Sequence, residues 1–108
     1  MSSAFHLVWS PESLDDLRAI RDYIELTLRE PRLARRQVAR IRDAARGLKS
    51  MPRRHPVLDW APWRTRGVRR MTVDNYAILY MVDDESCEVL IVRVVYGARD
   101  LDRVARSE

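Results

Sequence analysis

The chain has 108 residues, a formal charge of +4 at neutral pH and 46% apolar side chains. That length holds one domain, spanning 1–108, with a single core, and the apolar content excludes a disordered tail. No apolar run is long enough to span a bilayer, the N-terminus lacks the basic-then-apolar pattern of a signal peptide, and the lone Cys87 excludes an internal disulfide or a multi-cysteine metal site. The expectation is a cytoplasmic protein with no metal, no cofactor and no membrane partner.

Phe5, Leu7 and Trp9 alternate with His6, Val8 and Ser10, so residues 4–9 read as a short strand. Ser10-Pro11-Glu12 then opens a helix: the Ser10 side chain can accept from a free backbone N–H, and Pro11 suits the first helical position. Leu14, Leu17, Ile20, Ile24 and Leu28 form one apolar stripe along about five turns. Pro31 opens a second helix, in which Ala34, Val38, Ile41, Ala45 and Leu48 make the narrow seam of two packed helices. The short connection makes the pair an antiparallel αα-hairpin, and Ser50-Met51-Pro52 ends it.

Residues 51–65 form a loop punctuated by Pro52, His55, Pro56 and Pro62. It carries Trp60 and Trp63, which either clamp the loop to a sheet or stand exposed as a stacking platform. From Arg66 to Arg103, β-branched and aromatic runs are broken at Asp74-Asn75, at Asp83-Asp84-Glu85-Ser86 and at Gly97. This is the pattern of an antiparallel meander with tight turns. Cys87 reads as a small strand residue, and Ala98–Ala105 as a short helix or an extended tail.

Arginines are unusually frequent in and beside these strands: Arg66, Arg69, Arg70, Arg93 and Arg99. A guanidinium on a sheet suggests a surface for something anionic or for a partner. Arg69 and Arg70 must point to opposite faces. Arg69 and Arg93 could instead pair with acids of the first helix, such as Asp22, and Arg99 could make only a turn contact with Asp100. Tyr76 and Tyr80 read first as sheet residues, with Tyr80 also a candidate for the binding surface. Residues 29–70 hold 14 of the 20 basic side chains and only Glu30, Asp43 and Asp59 among the acids, so positive charge is strongly segregated. One side of the molecule should attract polyanions, although a basic helix face is often only solvated.

The order β-α-α-β-β-β predicts an α+β fold, an antiparallel sheet with the αα-hairpin packed on one face. This order, with W-S-P-E-S-L-D-D-L-R-A-I-R-D-Y-I at 9–24, V-R-R-M-T-V-D-N-Y-A-I-L-Y-M-V at 68–82 and V-L-I-V-R-V-V-Y-G-A-R-D-L at 89–101, resembles the RelE/ParE superfamily of toxins from type II toxin–antitoxin (plasmid-stabilisation) systems. The resemblance implies a curved sheet with a concave basic face, and a cognate antitoxin that wraps the toxin and blocks growth arrest.

Two mechanisms follow from the resemblance. RelE-like members are metal-independent endoribonucleases that cleave mRNA on the ribosome. On that pattern Arg70 and Arg99 are the catalytic candidates. Against it, the arginine that typically follows the strand tyrosine is Ala77 here, and the tyrosine expected near the C-terminus has no counterpart in D-L-D-R-V-A-R-S-E. ParE-like members bind DNA gyrase, which requires only a shaped basic and aromatic surface. The ending V-V-Y-G-A-R-D-L and the first helix with D-D-L-R-A-I-R-D-Y-I look closer to that branch, with Arg66, Arg69, Arg70, Arg93, Arg99 and Tyr80 as the contact candidates. A non-toxic basic module that binds RNA or protein is the remaining alternative; its binding to phosphates would weaken steeply with salt.

Overall fold

The computed structural model describes residues 4–59 and 63–97. Within them a short strand β1 (His6–Trp9) is followed by two helices, α1 (Pro11–Asp22) and α2 (Pro31–Arg46). A helical turn α3 (Trp63–Arg66) then leads into β2 (Arg69–Val73), β3 (Tyr76–Asp83) and β4 (Glu88–Tyr96). The α+β order is the one read from the sequence.

Ser10 caps α1 as its chemistry predicts, its Oγ accepting from the Ser13 N–H at 3.0 Å. The stripe of leucines does not continue as one straight helix. Over Tyr23–Thr27 the backbone widens into a π-turn, with the Leu28 N–H donating to the Tyr23 carbonyl at 3.1 Å. Arg29 then takes a left-handed φ of 58° and Pro31 starts α2. The wide turn carries Leu28 off the stripe, so Ile24 is buried while Tyr23, Leu26 and Leu28 face solvent. In α2 the narrow seam holds: Ala34, Ile41 and Ala45 are fully buried, as is Leu48 in the 3-10 turn that follows.

The sheet order is β1-β4-β3-β2. The pairs β2–β3 and β3–β4 are antiparallel, as the turn residues indicated, with Asp74 in the left-handed region of the first turn. β1 departs from the expected antiparallel sheet and runs parallel to β4. The cause is the hairpin of helices. It returns the chain to the end of the sheet where β1 begins, with the Phe5 N–H donating to the Lys49 carbonyl at 2.9 Å. β2 therefore sets off in the direction of β1, and β4 does so again after two reversals. Cys87 also differs from its reading: it closes the β3–β4 turn at φ 57° instead of lying in a strand.

Two apolar clusters flank the sheet. Leu17, Ile41, Ala45 and Leu48 of the helical layer pack on Met71, Ile78, Tyr80, Val89 and Ile91. On the opposite face Leu58, Trp63 and Val68 cover Ala77, Leu79 and Val95. Trp63 is fully buried and so clamps the loop to the sheet; Trp60 lies outside the described residues.

A bulge in β4 fixes how the layers sit. Leu79 pairs with Arg93 and Tyr80 with Ile91, leaving Val92 as the extra residue. Asp16 of α1 accepts from Arg93 Nε at 2.8 Å, from Arg93 Nη2 at 3.0 Å and from the Val94 N–H at 2.8 Å. Ser10 Oγ donates to the Val92 carbonyl at 2.8 Å. The Asp16 and Arg93 side chains are only 15% and 23% exposed, so this pair is far less screened than a surface bridge. Replacing Asp16 with alanine is expected to cost about 2–4 kcal/mol, and Asp16→Asn, which keeps one acceptor, should cost less. Urea unfolding midpoints rank the three proteins; an Asp16→Ala midpoint equal to that of the parent would contradict this role.

Candidate target- and antitoxin-binding surfaces

The alternation along β2 sends Met71 and Val73 into the helix-side core and leaves Arg70 and Thr72 exposed on the other face. Arg70 makes no ion pair and no side-chain hydrogen bond among the described residues. It stands at the rim of an open hollow of about 310 Å³ lined also by Thr72, Asp74, Asn75, Tyr76, Ala77, Tyr96 and Gly97. Arg66 lies on the covering turn, its guanidinium 5.5 Å above the Trp63 ring. Arg99 falls outside the described residues. At the edge of the hollow the Gly97 N–H donates to the Asn75 carbonyl at 2.8 Å.

The remaining candidates have structural partners. Arg69 turns to the opposite face, as the alternation required. It does not reach Asp22; its Nη1 donates to the carbonyls of His55 at 2.6 Å and Arg53 at 3.2 Å. Arg93 is held by Asp16. Tyr80 is fully enclosed in the helix-side core, its hydroxyl donating to the Pro52 carbonyl at 2.5 Å. Burial pushes its phenol above the usual tyrosine range. Arg66 and Arg70 thus share one side of the sheet, while Arg69, Arg93 and Tyr80 brace the other layer and the loop.

The hollow is built for contact more than for proton transfer. Asp74 accepts from Arg40 at 2.7 and 2.9 Å and from Gln37 at 3.0 Å, and these bonds hold its carboxyl below the usual range. Burial, with the Tyr96 and Tyr23 rings nearby, raises the Tyr76 phenol. Neither group is poised to exchange a proton near neutrality, and no histidine lines the hollow.

A second concavity, about 580 Å³, lies between the helical hairpin and the sheet end. Its walls include Ile20, Tyr23, Leu28, Leu33, Tyr76 and Tyr96, and every lining residue is uncharged. Tyr23 is 56% and Tyr96 54% exposed. Tyr76 and Tyr96 meet edge to face, with centroids 5.3 Å apart, and line both concavities. The π-turn that opens this groove leaves no mark in the spacing of leucines. Sequence reading left Tyr96 unassigned; the aromatic residue directly before Gly97 was the available signal.

The model for the ParE toxin of type II toxin–antitoxin systems, parDE, matches residues 7–101, so the chain belongs to this family within the RelE/ParE superfamily. No curated protein matches it. Its fold is similar to that of a protein of the chromosomal ParDE toxin–antitoxin system of P. aeruginosa, with 24% identity and a TM-score of 0.69 over 89% of this chain and 99% of that one. It is also similar to a chain of the Mycobacterium tuberculosis RelBE2 toxin–antitoxin complex, with 23% identity and a TM-score of 0.66 over 91% and 97%. A free mutant of the E. coli toxin RelE shares 15% identity at a TM-score of 0.64 over 94% and 93%. No helix among the described residues is long and apolar enough to cross a membrane.

The loop that covers Tyr80 carries its own pH dependence. His55 packs edge-on to Tyr80 with centroids 6.4 Å apart. Its Nε2 is enclosed without a hydrogen-bond partner among the described residues. Burial, reinforced by the Arg54 charge, holds its pKa below 6.5. A depressed histidine pKa means that its contribution to stability is complete above the unfolded value and is lost as pH falls through the folded one. Urea midpoints should therefore fall between about pH 7 and pH 5, and fall less in His55→Gln. Equal pH slopes for the two proteins would contradict this assignment.

Proposed function

We propose that the chain is the toxin of a type II toxin–antitoxin pair, that it acts in the cytoplasm, and that it arrests growth by binding its target instead of cleaving RNA. The target is DNA gyrase, and the contact surface includes Arg66 and Arg70 on the side of the open hollow, with Arg99 as a further contact residue. The observation that carries this reading is the chemistry of that hollow: an uncommitted Arg70 beside a carboxylate held ionised and a phenol held neutral. Cleavage of a phosphodiester would need a proton acceptor and a donor there. Ala77, at the position of the RelE-like arginine, is buried and supplies neither. Binding needs only exposed cations and aromatic edges.

The partner that restrains the toxin is its cognate antitoxin. The uncharged groove beside the hairpin suits the apolar face of a segment of that protein, and the exposed Arg32, Arg35 and Arg36 of α2 suit its acids.

Induced expression without the neighbouring antitoxin gene should arrest growth, with supercoiling inhibited and transcripts intact. Arg70→Ala should relieve the arrest while keeping the parent's unfolding midpoint. Loss of one charged contact, worth roughly 1.5–3 kcal/mol, should weaken gyrase binding about tenfold or more. Rapid transcript breakage with normal supercoiling would overturn the proposal in favour of the ribonuclease.

A further inference from the structure

The seam of the helical hairpin carries a group of arginines that the target surface does not use. Leu14, Leu17, Arg18 and Arg21 of α1 and Val38 and Arg42 of α2 line a shallow hollow of about 130 Å³. Spacings of three and four put the α1 residues on one flank of that helix, and Val38 and Arg42 lie one turn apart on α2. The floor is apolar, and the three guanidiniums are the only charged groups in the lining. The exposed acids of α1 stay out of it: Glu12, Asp15 and Asp22, spaced by three and seven, run along a different flank. Asp16 is turned to the sheet by Arg93.

None of the three arginines is locked in place. Arg18 meets Asp15 at 2.7 Å with both side chains well exposed, and Arg21 meets its neighbour Asp22 at 3.3 Å. Exposed pairs of this kind are screened by water and contribute little. Arg42 makes no ion pair or hydrogen bond among the described residues and rests 5.6 Å above the Trp9 ring. Like charges gathered over an apolar floor repel one another, and an anion set among them removes that repulsion.

The lining selects the anion. Guanidinium forks match phosphate oxygens in pairs. Pockets for whole small molecules run to roughly 300 Å³ and more, so this hollow takes one anionic group and leaves the rest of its carrier outside. No hydroxyl, amide or aromatic side chain lines it to read a sugar or a base. Holding phosphate without reading the base is how proteins track a nucleic-acid backbone. The lack of an aromatic platform favours a duplex over a single strand.

We propose that the α1–α2 seam binds a backbone phosphate of duplex DNA through Arg18, Arg21 and Arg42. The choice of DNA rests on the gyrase reading, since an enzyme that works on DNA presents a duplex to whatever binds it. The seam belongs to the helical layer, so it leaves the face bearing Arg70 to the protein target.

Fluorescence anisotropy of a duplex of about 20 base pairs, titrated with the purified chain from about 50 to 200 mM KCl, tests it. Arg18→Gln and Arg42→Gln should each weaken binding about tenfold and reduce the slope of log K against log salt by about one. Arg64→Gln removes the same charge from the turn α3 on the other face of the sheet and should change binding less than about twofold. Both seam variants should keep the parent's affinity for gyrase free of DNA. If Arg42→Gln lowers the unfolding midpoint, the exposed Arg18 decides the outcome. A parent that does not bind the duplex, or seam variants that bind it as the parent does, overturns the seam and leaves the gyrase reading standing. Equal losses in Arg18→Gln and Arg64→Gln reduce the effect to net charge and also overturn it. Tighter binding of duplex RNA, or of a single strand of the same length, assigns a different occupant and overturns it too. Binding of the duplex that the seam variants lose, without any binding of gyrase, supports the seam and removes the gyrase reading.

Discussion

The carboxylate of Asp16 is the point on which the layers are hung. It takes three donors from two successive residues of β4, and it can do so because the extra residue Val92 turns the strand toward α1. A bulge without that anchor would leave the Val94 N–H without its Asp16 acceptor, at a cost of about 1–3 kcal/mol if it stayed buried. With it, α1 is fixed in angle and position along β4, and the end of α1 is brought beside Tyr76 and Tyr96. The Ser10 hydroxyl adds the second fixed point, donating to Val92 while accepting from Ser13. One serine thereby starts the helix and attaches it to the sheet.

That attachment separates the two faces of the protein. The helix side is closed by apolar packing and by arginines already engaged with acids or carbonyls, such as Arg40 with Asp74 and Arg69 with His55. On the other side the loop clamped by Trp63 covers only part of the sheet and leaves Arg70 uncovered. Between the two concavities stands the Tyr76–Tyr96 pair, a wall common to both. An occupant of the apolar groove is then within one aromatic ring of the surface proposed for the target, which gives an antitoxin a physical means of obstructing it.

The sequence reading was sound where local chemistry determines the outcome. The Ser10 cap, the α2 seam, the Asp74-Asn75 turn and the opposite orientation of Arg69 and Arg70 all follow from spacing of two or of three and four. It was silent or mistaken where the outcome depends on contacts between distant residues. Whether Arg69 meets Asp22 or two carbonyls is decided by a loop whose path no periodicity specifies. The parallel pairing of β1 follows from where α2 ends, not from any residue in β1. Tyr80 was placed among the contact candidates because an alternating strand has two faces, and alternation alone does not say which one is covered. The π-turn is a one-residue departure from helical phase, too small to register in a stripe of five leucines and isoleucines. Nothing in the local pattern singles out Asp16, since its partner lies 77 positions away.

The central claim is that the target meets the face bearing Arg70, away from the helices. A benzophenone amino acid at Thr72, activated in growing cells after induction, tests it most directly. The account predicts a covalent adduct with a gyrase subunit that disappears when the antitoxin is co-expressed. Adducts with ribosomal components, or none with gyrase while growth is arrested, would contradict it.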